Sequence, residues 1–170
     1  DAIAHAIEQA ATELAAGRFD EQFPLTIWQT GSGTQTNMNA NEVIANRANQ
    51  WLGNQLGRQS PVHTNDHVNR SQHSNDTFPT VMHLASYLAL KSALLPALGH
   101  LREGLEEKAS AWRDELKIGR THLMDAVPMS QGQAFATYAE QIHHGICRVK
   151  ACMVRLRVLP QGGTAVGTGL

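Results

Sequence analysis

Apolar residues return every three or four positions through most of the chain, the spacing of one face of a helix. The first such stretch, DAIAHAIEQAATELAAGR, sets Ile3, Ile7 and Leu14 at that spacing and is rich in Ala, Glu and Leu, which predicts a helix. FPLTIWQTGSGTQTN then reads as a short extended segment entering a polar loop. ANEVIANRANQWL reads as a second helix, stopped by Gly53. Residues 53–72 are dense in Gly, Pro, Asn, Asp and Ser and predict a loop. The pattern then lengthens into three stripes: Val81, Leu84, Ala85 and Leu88; Leu94, Leu98, Leu101, Leu105, Trp112 and Leu116; and Phe135, Tyr138, Ile142, Ile146, Val149, Met153 and Leu156. Such stripes belong to long helices packed side by side. Pro96 lacks an amide donor, so it either kinks the first of these or starts a new helix. A helix from about Ala97 to Leu116 would run ~30 Å. Two or three such helices cannot cover all their apolar surface alone, so more helices, from further sequence or partner subunits, are expected.

Composition narrows the class. The chain has 170 residues, 42% of them apolar, and a formal charge of −1, which gives no electrostatic case for nucleic acid or an anionic membrane. No run of ~18 consecutive apolar residues suggests a membrane span. Cys147 and Cys152 form no CxxC pair, which suits a reducing compartment. The chain opens inside an amphipathic pattern and ends just after GGTAVGTG, and so reads as an internal piece of a longer polypeptide.

Three polar segments exceed what packing needs. Gln29–Glu42 gathers hydroxyls, amides and two glycines before a helix. Glycines admit close approach of a ligand and helix-start amides favour anions, so anion binding is preferred to a decorated N-cap. It lacks the GK[ST] ending of a P-loop. His63–Pro79 ends in HSND, where Ser74, Asn75 or Asp76 could cap the next helix and its amides could hold a carboxylate. His63, His67 and His73 with Asp66 invite a metal reading, but no helix-borne HExxH accompanies them, and no metal is expected. The third segment, KIGRTHLMDAVP, places Arg120, Thr121 and His122 in a polar break between two helices. A histidine there can exchange a proton near neutral pH if it faces a cleft, and Asp125 lies close enough in sequence to orient a neighbour.

Four stretches, GSGTQTNMNANEV at 31–43, VHTNDHVNRSQHSNDTFPT at 62–80, KIGRTHLMDAVP at 117–128 and GGTAVGTGL at 162–170, together resemble the fumarase/aspartase superfamily, and most closely its class II, iron-independent fumarate hydratases. The resemblance implies a mainly α fold. Residues 1–70 would end a small N-terminal domain, and residues 71–170 would supply the first long helices of a central bundle. It implies reversible hydration of fumarate to L-malate, without metal or organic cofactor. It also implies a homotetramer whose active sites are shared between subunits, with no nucleic acid or membrane partner. On the matching positions, Ser32, Gly33, Thr34, His73, Ser74, Asn75 and Thr121 would bind substrate, and His122 would be the active-site histidine. His63, Thr64, Asn65 and Asp66 would form a second dicarboxylate site.

The chain departs from the family at His73, where Ser is usual, and at Thr64, where Pro is common. It ends before the segment that supplies the family's base serine and a substrate lysine, and before the glutamate that partners the histidine. These residues alone should therefore carry part of an active site and be inactive. Aspartate ammonia-lyases typically have Gln at the position of His122 and Ala at that of Ser32. Argininosuccinate and adenylosuccinate lyases match less well. A non-catalytic helical assembly module is the alternative of another class. A cytoplasmic location is the simplest expectation, with a mitochondrial one open.

Overall fold

The computed structural model describes residues 1–29 and 31–169; Thr30, in the first polar segment, and Leu170, which ends the last matching stretch, lie outside the described residues. The described residues form five α-helices and one two-stranded sheet: α1 (Ala2–Ala15), α2 (Thr34–Trp51), α3 (Ser74–Ala89), α4 (Leu95–Ala111), β1 (Leu116–Thr121), β2 (Met124–Ser130) and α5 (Gln131–Arg155). They divide into two compact units, residues 1–82 with 159–170, and residues 83–158.

In the first unit α1 lies on α2 through small residues. Ala6, Ala10, Ala45 and Ala48 are buried together with Val62 and Val68, and Ile3, Ile7, Ile44 and Leu52 close the cluster. Alanines leave no side-chain bulk between the helices, so the backbones approach closely. Arg47 fixes the pair laterally: its Nε donates to Glu13 Oε2 at 2.6 Å and its Nη2 to Glu13 Oε1 at 3.1 Å. This fork holds the Glu13 carboxyl below its ordinary value.

The 53–63 connection is held by one buried amide. Asn49 donates to the carbonyls of Arg58 and Val62 at 2.8 and 3.0 Å and accepts from the Val62 amide at 2.8 Å. The expected loop at 53–72 holds over most of its length, interrupted by a π-helical turn, Thr64–Val68. The extended segment expected before α2 has no strand partner among the described residues. The second helix begins at Thr34, six residues earlier than its apolar pattern suggests, so much of the first polar segment forms its opening turns.

In the second unit α4 and α5 pack as an antiparallel pair joined by the hairpin β1–β2. Pro96 sits at the start of α4, as one of the two expected alternatives required, preceded by a π-helical segment, Leu90–Leu94. The α4 helix ends at Ala111, short of Leu116, because the chain turns back there: the amides of Gly132 and Gln131 donate to Trp112 O and Glu115 O, both at 2.8 Å. Trp112 meets Phe135 edge-on at 4.8 Å. Ser130 and Gln133 cap α5 reciprocally.

Large apolar side chains on the first two stripes stay exposed, among them Val81, Leu84, Leu88, Leu94 and Leu101, while the third is largely covered apart from Tyr138. The run Ser74–Ala111 contains an 18-residue window apolar enough, by length and composition, to cross a bilayer. This departs from the expectation drawn from consecutive apolar residues, because closely spaced leucines raise the average across polar interruptions such as His83 and Lys91. A core helix of a soluble bundle meets the same criterion.

Candidate functional site

Two helix starts meet in the first unit. Gly33 is the N-cap of α2, with φ of 76°; having no side chain, it leaves the Thr34 amide to donate to Ser32 Oγ at 3.4 Å. Its left-handed backbone suits glycine, and there is no room for more, since a Cβ would overlap the Phe78 ring of α3. The contact brings Thr34 against the start of α3, where Thr34 Oγ1 lies 2.9 Å from Ser74 Oγ. Ser32 Oγ is 3.2 Å from Thr34 Oγ1. Ser74 is buried, while Ser32 and Thr34 are exposed. Five of the residues expected to bind substrate, Ser32, Gly33, Thr34, His73 and Ser74, with Asn75 beside them, thus fall at two adjoining N-termini. Backbone amides and hydroxyls there can donate to one carboxylate, and both helix dipoles favour the anion.

A further amide cluster extends this edge. Asn37 and Asn41 of α2 both donate to Asn69 Oδ1, at 3.3 and 2.8 Å. Their spacing of four residues puts them on one helical face, a pattern present in the sequence that the motif reading passed over.

His73 plays a structural part. Its Nδ1 accepts from the Asn75 amide at 3.3 Å, and its own amide donates to Asp76 Oδ1 at 3.0 Å, a reciprocal cap of α3.

Asp76 is the residue the sequence reading undervalued. It is 1% exposed. Its Oδ2 accepts from the amides of Gly162 at 3.1 Å and Thr164 at 2.8 Å, and Thr77 Oγ1 donates to Oδ1 at 3.2 Å. Burial alone would raise its pKa, but the amides of Thr164, His73 and Gly162 outweigh that and hold the carboxyl below its ordinary value. Asn75 Nδ2 also reaches the loop, donating to Ala165 O at 3.0 Å. A reading of Asp76 as a simple cap candidate could not show the second oxygen's partners, which lie 86 and 88 residues away.

The segment with His63, Thr64, Asn65 and Asp66 is a closed π-helical turn. His63 Nδ1 accepts from the amides of Asn65 and Asp66 at 3.3 and 3.2 Å, and lies 3.3 Å from Asp66 Oδ2. One nitrogen cannot both accept from two amides and donate to the carboxylate; the capping geometry makes it the acceptor. His67 Nδ1 accepts from the His63 amide at 2.8 Å. Thr64 is buried. An anion reaching these amides would have to displace the His63 ring.

Thr121 and His122 belong to the second unit, and the break that holds them is a β-hairpin. Thr121 pairs with Met124, so His122 and Leu123 form a two-residue turn with φ of 50° and 62°. Both in the left-handed region is the type I′ geometry that matches strand twist. Cross-strand, Arg120 Nε meets Asp125 Oδ1 at 3.4 Å. A bulge beside Gly119 brings the strands so close that a Cβ there would lie 2.8 Å from Val127 O. The hairpin tip is exposed on every side, Leu123 fully so. Bulky residues seldom adopt this backbone, and such outliers cluster at functional positions.

Known proteins resemble the chain along its whole length. The sequence model of one family, described as lyase, matches residues 1–170. The mitochondrial fumarate hydratase of Schizosaccharomyces pombe is 58% identical over 168 residues, 99% of this chain and 32% of that protein. The class II fumarate hydratase of Caulobacter vibrioides is 56% identical over 168 residues, 99% of this chain and 36% of that protein. The crystal structure of class II fumarase from Schistosoma mansoni superposes with a TM-score of 0.91 at 46% identity, covering 100% of this chain and 36% of that one. The chain therefore spans about a third of the length of these relatives. With a family match from the first residue to the last and the same fold in a solved relative, the chain belongs to the lyase family.

Proposed function

We propose that this chain is part of a fumarate hydratase, which adds water to fumarate to give L-malate and runs the reverse reaction. The observation that carries the reading is the start of α2, capped by a glycine, beside the Thr34–Ser74 hydroxyl pair at the start of α3. A small dicarboxylate needs donors more than it needs shape, and this edge offers hydroxyls, amides and two helix dipoles. The identity to proteins named fumarate hydratase supports the choice of substrate.

The chemistry makes two demands. Removing a proton next to a carboxylate of malate adds negative charge to that group, and the departing hydroxyl needs a proton. Ser32, Gly33, Thr34, Ser74 and Asn75 would hold the carboxylates and stabilise the extra charge, with Thr121 as a further donor. His73 would serve them by capping α3. His122, on its left-handed turn, would move a proton at the reacting centre. The base would come from sequence outside these residues. The His63–Asp66 turn would take a second dicarboxylate only with its capping ring moved aside.

The exposed stripes of α3 and α4 support a bundle completed by further helices, and the proposed assembly is a homotetramer with shared sites. That would cover the apolar run Ser74–Ala111 with protein, leaving no call for a membrane. Neither metal nor organic cofactor enters the proposal. Relatives include mitochondrial and bacterial proteins, and the location proposed is the cytoplasm, or the mitochondrion in a eukaryotic source.

The full-length protein, assayed by loss of fumarate absorbance with and without a strong chelator, should be active in both. His122→Asn should lower kcat by about 10²–10⁴-fold with a smaller change in KM, the range for a proton-transfer group. Deamination of aspartate without hydration of fumarate, or wild-type turnover in the variant, would overturn the reading.

A further inference from the structure

We propose that Asp76 is a positioning residue for substrate binding: its carboxylate fastens the start of α3, which bears Ser74 and Asn75, to the loop Gly162–Gly169. The inference rests on the proposed fumarate hydratase site and extends it to a side chain that need not touch substrate.

One oxygen serves each side. Oδ1 takes the His73 amide and so fixes the first turn of α3, while Oδ2 takes the amides of Gly162 and Thr164. Asn75 adds a parallel tie to Ala165 O. The loop is held in a costly shape. Thr164 is a non-glycine residue at φ 59°, with Gly162, Gly167 and Gly169 also left-handed. A β-branched residue keeps that backbone only where surrounding bonds over-determine it, and the bond to Asp76 is the shortest amide contact on the carboxylate. The carboxylate is buried, so water cannot replace these donors. Without it, the loop and the helix start would move independently, and Ser74 would lose its fixed relation to Thr34.

The test uses full-length protein with two substitutions. Asp76→Asn keeps the shape, but its amide nitrogen cannot accept, so only one side of the tie survives. Asp76→Glu keeps the charge and both acceptors yet lengthens the reach by one methylene, and covers the case in which the first variant does not fold. The readouts are KM for malate, the dissociation constant of succinate as a non-reacting dicarboxylate, kcat, and Tm. Asn49→Ala, which loosens the same unit away from these residues, is the control for lost stability. At least one folded Asp76 variant should weaken both KM and succinate binding about tenfold, with kcat changed less, as expected when binding common to substrate and transition state is lost. Succinate binding within threefold of wild type in every folded Asp76 variant overturns the proposal. So does an equal loss of succinate binding in Asn49→Ala. Wild-type protein inactive on fumarate would instead remove the underlying functional reading.

Discussion

Gly33→Ala concentrates the reasoning about the site into one atom. The residue sits at φ 76°, where an L side chain costs roughly 1–2 kcal/mol. The new methyl would also overlap the Phe78 ring, contacting Cγ and both Cδ atoms. Overpacking of this kind costs about 1–3 kcal/mol when the neighbours must move. Together they give a loss of about 2–5 kcal/mol if neither side yields. Phe78 is half-buried and the Ser32 side exposed, so some relief is open, and the lower half of that range is expected. Whatever yields, the Thr34–Ser74 distance of 2.9 Å should lengthen, because the methyl stands between the turns that carry them.

The assay is urea unfolding of the full-length protein followed at the first unit, with KM for fumarate measured on the same preparation. Gly33→Ala should lose stability and raise KM. Adding Phe78→Leu should return part of the KM effect, since the double variant removes the ring while keeping the left-handed strain. A variant with wild-type stability and KM would refute the close approach of the two helix starts. A variant that loses stability but keeps KM would refute the link from that approach to substrate binding.

Asn49→Ala should cost about 2–4 kcal/mol in urea unfolding, because the Val62 amide and carbonyl lose their partner in the interior and the Arg58 carbonyl loses one nearer the surface; a loss under about 0.5 kcal/mol would mean that water fills the place. Acid should also discriminate. The folded Asp76 carboxyl titrates below its ordinary value, so the unfolded chain binds that proton first and stability falls as pH drops below about 4. Glu13 acts with the same sign. Asp76→Asn should therefore show a shallower loss of stability with acid than the wild type in a pH series of unfolding midpoints, and equal slopes would contradict the depressed carboxyl.

The helices were legible because their information is periodic and local. Ile3 and Ile7 on α1, and Ile142, Ile146 and Met153 on α5, face protein as their spacing requires. What escaped was set by contacts far along the chain. Nothing between Ala97 and Leu116 ends a helix at Ala111; the stop comes from amides of residues 131 and 132. The hairpin was missed for a chemical reason. Two-residue turns of this type are announced by Asn-Gly or Asp-Gly, and His122-Leu123 sends neither signal. Gly119 makes room for the opposite strand at the bulge.

The histidines show most clearly why residue type alone cannot assign a site. A neutral imidazole nitrogen can accept an amide hydrogen at a helix start much as a serine hydroxyl does, so a histidine ahead of a helix reads equally as cap or ligand. His63 and His73 are both caps here, each taking amides two or three residues on. His122 has no helix to cap. It stands in a turn where its backbone conformation is unfavourable and its side chain exposed, a placement that folding by itself gives no reason to keep. The same physical test therefore separates the three: a histidine whose nitrogen is used by the backbone is explained by the fold. His122, which the fold leaves unexplained, is the one to which the proposed function gives the proton transfer.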